Sequence, residues 1–494
     1  MAELADAPAL GAGVTDVQVQ VLSPASKSTR ILRVLFHFTV KESCSVFNFT
    51  ISFDKSEKLY LQLYKYIAAE INSGRISDGE RIPSKKALAS HLKLSVNTIE
   101  AAYSILIQEG FLKSVPRSGY YAQKTGSQHK LPPEFSAPQK QISEFDYDFS
   151  ISAQDPDAFP SRTWIKLSKE VMYENPNLLR SGEFSGDIEL RLAIAKYLYE
   201  FRGVSCSPDQ IVIGAGMEYL LMLLTHILPE GSIYAVENPG YRKTHDIFAY
   251  TGSCIEYIGL DSEGMITKEL SYSGANIAYI TPSHQFPTGI IMSADRRKEI
   301  LEWAYAAKNR YVIEDDYNNE FNYSIKPVPA MQGMDSHERV IYMSTFSRTL
   351  APSIRIAYMV LPPSLTEPFF TRYGRFSSTV PRFDQHTLER FITGGFLERH
   401  LNRTRLLYRK RRDALIELLD SSDIDFDISG EKSGMQLLAE TESVSEILER
   451  AQRSKIKLSR LKNFYFTDNT YDALIIGYAL ADNNSLNKLK EILK

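Results

Sequence analysis

From about Phe149 onward the chain alternates short apolar runs with amphipathic stretches, and this alternation restricts the fold more than any other feature of the sequence. IVIGAG, SIYAVE, NIAYITP, RYVIEDD, RVIYMST and RIAYMVLP read as buried strands, each short and bounded by turn residues. ELRLAIAKYLYEF, EYLLMLLTHILP, DRRKEILEWAYAAKN and LERHLNRTRLLYRKRRDALIELLDS read as helices between or after them. The order predicts an α/β fold with a mainly parallel sheet, flanking helices and a smaller C-terminal α+β subdomain from about residue 390 to 494.

Sheets of this kind bind ligands outside the carboxyl ends of their strands, and four loops fall there. Gly214-Ala215-Gly216 follows IVI and opens a helix, where backbone amides can meet an anion. Tyr241 follows Asn238-Pro239-Gly240 and offers an aromatic face. Asp315 and Tyr317 follow RYVIE, and Arg355 lies beyond the strand VIYMST. Taken singly, each has an ordinary reading as tight turn, core tyrosine, solvated acid or surface arginine.

A different pattern precedes this region. LYLQLYKYIAAEINSG places apolar residues at 59, 63, 66, 67 and 71 on one helix face, and Gly74 ends it. Ser84 is placed to cap a second helix carrying Leu88, Ala89 and Leu92 inward. After a turn at Lys93-Leu94, Ser95 caps a third helix with Ile99, Ala102, Tyr103 and Leu106 inward, stopped by Gly110. Phe111-Leu112-Lys113 and Tyr120-Tyr121-Ala122 then read as two strands of a β wing. In a helix-turn-helix the start of the second helix enters the major groove of DNA. Ser95, Asn97 and Thr98 stand there as short hydrogen-bonding side chains. Lys85 and Lys86 open the preceding helix, and Arg117 with Ser118 tips the wing, positions that suit phosphate contacts. Residues 54–123 hold ten Lys/Arg against seven Asp/Glu, so the excess is modest.

The composition is that of a globular protein: 43% hydrophobic and 24% charged over 494 residues, enough for more than one core. A net charge of −3 excludes a chain that binds polyanions over its whole surface. Cys44, Cys206 and Cys254 are far apart and odd in number, with no disulfide framework or metal-ligand spacing, which fits a reducing cytoplasm. No apolar run has membrane-spanning length. Residues 1–53 read as an extension: an unpacked arm, or translation from a start set too far upstream, since no methionine occurs between Met1 and Met172. Residues 54–123 form the predicted DNA-binding domain, the polar, proline-bearing stretch 124–145 a linker, and 146–494 the large domain.

Two resemblances extend these readings. Residues 59–121 resemble, over their whole length, the winged helix of GntR-type bacterial regulators. Related domains often carry arginine where Val96 stands and near Ala101. GDIELRLAIAKYL, VENPGYRKTHDIF, YITPSHQFPTGIIMS, IEDDYNNEFNYSIKPVPAMQG and IYMSTFSRTLAPSIRIAYMVLP resemble successive motifs of the fold-type I aminotransferase-like domain of MocR/GabR-type regulators. That resemblance implies pyridoxal phosphate (PLP) as cofactor, duplex DNA and a small-molecule effector as partners, and a homodimer. It assigns Asp315 to the pyridine nitrogen, Tyr317 to the ring oxygen, Tyr241 to the ring face, and Ser347 and Arg355 to the phosphate, while Gly216 at its helix start is expected to join Arg348 and Arg355 in holding the ligand. Position 348 should be the lysine that forms an imine with the cofactor aldehyde, and it is Arg348. A guanidinium is charged at any accessible pH and is a poor nucleophile. PLP, if bound, is therefore expected to be held non-covalently, Arg348 contributing charge, with no catalytic residue. Alternatively Arg348 fills the pocket and pairs with Asp315. The segment 471–478 also lacks the arginine that such proteins often use for a substrate carboxylate. The competing readings are an active aminotransferase with an accessory DNA-binding domain, and a dimerisation platform without ligand.

Overall fold

The computed structural model describes residues 51, 53, 54, 57–124, 144–323 and 329–494. The expected extension and linker fall almost wholly outside the described residues. The chain divides into two compact units, residues 1–141 and 142–494.

The first unit is a three-helix winged fold. Helix α1 (Leu59–Asn72) buries Leu63, Ile67, Ala68 and Ile71. The Gln62 side chain ties the chain before it down, accepting from the Asp54 amide at 2.9 Å and donating to the Glu57 carbonyl at 2.6 Å. Helix α2 (Lys85–Leu92) starts where the Ser84 hydroxyl accepts from the Ala87 amide, 3.2 Å. Helix α3 (Val96–Gln108) starts where the Ser95 hydroxyl accepts from the Thr98 amide, 3.1 Å, and it buries Ile99, Ala102, Tyr103 and Leu106. Between them Lys93 turns the chain in the left-handed region, φ 52°. Strands β1 (Arg81–Ile82), β2 (Leu112–Val115) and β3 (Gly119–Ala122) form an antiparallel sheet with β3 in the middle. The two wing strands were expected; β1, two residues long, has no periodicity to reveal it.

The second unit begins with β4 (Tyr147–Asp148). Its main sheet holds β5 (Ile211–Gly214), β6 (Ile233–Asn238), β7 (Cys254–Asp261), β8 (Gly264–Met265), β9 (Ile277–Ile280), β10 (Tyr311–Asp315), β11 (Val340–Thr345) and β12 (Ala357–Val360), in the order β5-β12-β11-β10-β9-β6-β7-β8. The centre, β11-β10-β9-β6-β7, is parallel; β12 runs antiparallel to β11 and β5. Helices α4 (Ser161–Glu174), α5 (Ile188–Arg202), α6 (Met217–Thr225) and α7 (Arg242–Tyr250) are followed by further helices, including Ala294–Tyr305 and Phe396–Asp420. A smaller sheet carries β13 (Asp427–Ser429), β14 (Gln436–Glu440), β17 (Leu474–Gly477) and β16 (Ser459–Arg460) in that order. The expected C-terminal subdomain omits one part of it: β4 pairs in parallel with β15 (Ile456–Lys457), and Phe149 packs in the same core as Leu437 and Ile476. Residues at the start of the second unit therefore belong to the smaller subdomain. Among the described residues no helix is long and apolar enough to cross a membrane.

Candidate functional site

The carboxyl ends of the parallel strands open into a cavity of about 260 Å³. Tyr241, Asp315, Tyr317, Ser347, Arg348 and Arg355 all line it. Each is placed by a strand end. Tyr241 caps α7 after β6, Asp315 is the last residue of β10, and Arg355 turns into β12 with φ 54°. Ser347 and Arg348 sit in the helical turn Phe346–Thr349 after β11, where the Thr345 hydroxyl accepts from the Ser347 amide at 3.1 Å. Gly216 immediately precedes the lining residues Met217 and Glu218. Its φ is +99°, and a Cβ there would lie 2.0 Å from Arg355 Nη2, so glycine is what lets that guanidinium approach.

Among the described residues, three polar atoms at this cavity have no hydrogen-bond partner: Asp315 Oδ1, the Tyr317 hydroxyl and Ser347 Oγ. Asp315 Oδ2 accepts from the Tyr279 hydroxyl, a residue on β9 that sequence reasoning missed. Burial pushes the Asp315 carboxyl up to about 7, against the pull of that hydrogen bond. Burial likewise pushes the Tyr317 phenol far above its ordinary value, with the Arg348 charge opposing.

Arg348 Nη2 donates to the Ile151 carbonyl at 2.6 Å. The Gln154 amide donates to the Ser347 and Arg348 carbonyls at 3.3 and 3.5 Å. Among the described residues no carboxylate oxygen lies within 4.0 Å of the Arg348 guanidinium, so the pair with Asp315 that the sequence left open does not form. Arg355 is differently placed. Its Nη2 is 2.7 Å from Glu218 Oε2, and Lys243 Nζ is 3.3 Å from Glu218 Oε1. Burial works to raise the Glu218 carboxyl, but the Arg355 hydrogen bond leads the effects that outweigh it and hold the group below its usual range. Lys243 is the lysine that lines the cavity among the described residues. Lys308 is exposed beyond the end of helix Ala294–Tyr305, and Lys326 lies outside the described residues.

On the winged unit, Lys86, Asn97 and Arg117 are exposed, and Arg117 holds φ 61° at the wing tip. Ser95 and Thr98 bond to each other at 2.8 Å, and the Ser118 hydroxyl is 2.6 Å from the Tyr121 hydroxyl. Lys85, expected to face phosphate, is engaged otherwise: Nζ is 2.7 Å from Glu100 Oε1 and 5.8 Å from the Tyr120 ring centroid. The Glu100 hydrogen bond leads the influences that raise its pKa. A cation missed by sequence reasoning is Arg81 on β1, whose Nε would be 3.4 Å from a Cβ at Gly119 of the wing.

One group of potential metal ligands occurs among the described residues: Asp187, Glu189 and His386, with ligand atoms within 4.8 Å. Asp187 Oδ2 already faces Arg382 Nε at 2.7 Å and His386 Nε2 at 2.8 Å, so the group reads as a structural ion pair.

Comparison with known proteins identifies both units. Residues 59–121 match the family described as bacterial regulatory proteins, gntR family, and residues 148–471 match Aminotransferase class I and II. The chain belongs to the HTH-type transcriptional regulators that join these two domains. It is similar to the uncharacterized HTH-type transcriptional regulator YdeL of Bacillus subtilis (strain 168), 37% identical over 85% of this chain and 93% of that protein. It is also similar to the probable rhizopine catabolism regulatory protein MocR of Rhizobium meliloti, 30% identical over 88% of this chain and 93% of that protein. Among solved structures, Pyrococcus horikoshii kynurenine aminotransferase superposes with a TM-score of 0.63 at 26% identity, covering 71% of this chain and 90% of that one.

Proposed function

We propose that this chain is a DNA-binding transcription regulator in the cytoplasm whose aminotransferase-like domain dimerises and binds PLP or a related small molecule without covalent attachment and without transamination. The observation that supports the reading is a cavity at the carboxyl ends of the parallel strands lined by Arg348, the residue that the resemblance sets at the position of the imine-forming lysine. The donor set fits PLP held non-covalently. Asp315 Oδ1, the Tyr317 hydroxyl and Ser347 Oγ are unpartnered atoms suited to a pyridine nitrogen, a ring oxygen and a phosphate ester. When bound with an amine, PLP supplies an electron sink for carbanion chemistry. Here Arg348 supplies charge and hydrogen bonds, and its guanidinium offers no lone pair for bond formation. Lys243 does not favour the rival enzyme reading, because the Tyr241 phenol and then Glu218, which holds its ammonium, raise its pKa.

Dimerisation is supported by apolar side chains on and beside α4 and α5 that are exposed among the described residues. Tyr173 is 88% exposed, Leu179 81% and Tyr199 70%. Duplex DNA is the partner read from the winged unit, with Lys86, Asn97 and Arg117 facing it. The full chain is expected to retard promoter DNA at low salt and to sediment as a dimer at micromolar concentration. A monomer that retards no DNA at low salt contradicts the proposal.

A further inference from the structure

Arg348, half-buried in the cavity lining, differs from the buried arginines of the second unit. Arg191, Arg202, Arg296 and Arg297 each have a carboxylate oxygen within 4.0 Å: Glu183, Asp316, Asp261 and Glu314 respectively. Arg348 has none among the described residues. A guanidinium has five N–H donors, and the protein bond it makes here is the one to the Ile151 carbonyl. Burial works first to lower its pKa, and the phenols of Tyr317, Tyr408, Tyr241 and Tyr478, which oppose that effect, bring no formal charge. Of the other cations lining the cavity, Arg355 and Lys243 share Glu218. Arg348 thus lines the cavity with no carboxylate within 4.0 Å among the described residues, and charges shielded from water are stable when paired. The missing partner must be an anion able to meet a planar fork of donors, and a carboxylate does so with two parallel hydrogen bonds. The unpartnered Tyr317 hydroxyl offers a further donor on the same cavity wall. β17, behind Tyr478, carries Leu474, Ile475 and Ile476 and contributes no competing cation.

We propose that Arg348 makes this site a carboxylate receptor. The ligand is a flat heteroaromatic ring that lies against Tyr241 and presents a carboxylate, rather than an aldehyde, to position 348. This rests on the cavity being the small-molecule site proposed above and goes further by fixing the ligand's functional group.

The test uses the full chain with two probes that differ only in that group, 4-pyridoxate and pyridoxal, and with PLP as a third, measured by calorimetry and by the shift in melting temperature. 4-Pyridoxate is expected to bind about tenfold to a hundredfold tighter than pyridoxal, the range for a hydrogen-bonded charged group. R348M and R348Q are expected to bring 4-pyridoxate down to the pyridoxal affinity. R348Q retains a donor for the Ile151 carbonyl, and far-UV circular dichroism with a single cooperative melt like that of the natural chain shows that both variants fold. Equal affinities in the natural chain, or a carboxylate preference that survives both substitutions, overturns the inference. If PLP binds but the carboxylate preference is absent, only this inference fails. If none of the three probes binds, the small-molecule site proposed above fails with it.

Discussion

Glu218→Gln isolates the contact that stands between the cavity and an anionic ligand. The Glu218 carboxylate holds Arg355 at 2.7 Å and Lys243 at 3.3 Å, so a phosphate at Arg355 must displace it or lie beside it. Two unit charges about 4 Å apart repel by about 4 kcal/mol at an effective dielectric near 20. The Arg355 and Glu218 side chains are 48% and 32% exposed, so water and salt reduce the effect to about 1–2 kcal/mol. E218Q should therefore bind PLP and inorganic phosphate about fivefold to thirtyfold tighter. Calorimetric titration at two salt concentrations measures this, and the gain should shrink at the higher one. Pyridoxal, which lacks the phosphate, should bind the variant and the natural chain alike. Folding should lose only about 0.2–1 kcal/mol, the worth of a partly exposed ion pair. Unchanged or weaker phosphate affinity in E218Q would refute the placement of the anion subsite at Arg355.

Two further expectations concern charge. K86A and R117A should each weaken DNA binding and lower the salt slope by about one, whereas K85A should change it less, because Glu100 already neutralises that ammonium; retardation across a salt series reads all three. Asp315 is raised to about 7 by burial, so the stability it contributes is complete below the unfolded carboxyl value near 4 and is lost as pH rises through 7. D315N removes that titration while keeping an acceptor for Tyr279. Its melting temperature relative to the natural chain should therefore rise between pH 5 and pH 8, and a constant difference would contradict the burial argument.

The parts legible in the sequence are those set by local pattern. The three helices of the winged unit and the caps at Ser84 and Ser95 follow from apolar spacing and a hydroxyl at the right offset. The six runs read as strands became β5, β6, β9, β10, β11 and β12, because each carries an apolar run buried on both faces. β7 was missed: Cys254–Asp261 lies near the sheet edge and mixes exposed with half-buried residues, so it has no clean period. The candidate site residues were read at strand ends, where chain topology alone places them, and those from Tyr241 to Arg355 line one cavity. Their partners were not, because Tyr279–Asp315, Glu218–Arg355 and Lys85–Glu100 join residues 36, 137 and 15 positions apart. The membership of β4 in the smaller subdomain is likewise a long-range pairing, with Ile456 and Lys457.

The most direct test of a retained cavity without imine chemistry is the intact mass and visible spectrum of the natural protein incubated with PLP, treated with borohydride and dialysed, beside R348K handled identically. The natural chain should bind PLP reversibly, lose it on dialysis and keep its unmodified mass. R348K, with a primary amine beside Asp315, Tyr317 and Ser347, should gain a borohydride-reducible absorbance and the mass of one attached cofactor. A covalent adduct on the natural protein would show that another lysine serves, and would contradict the reading of Arg348 as the loss of covalent chemistry.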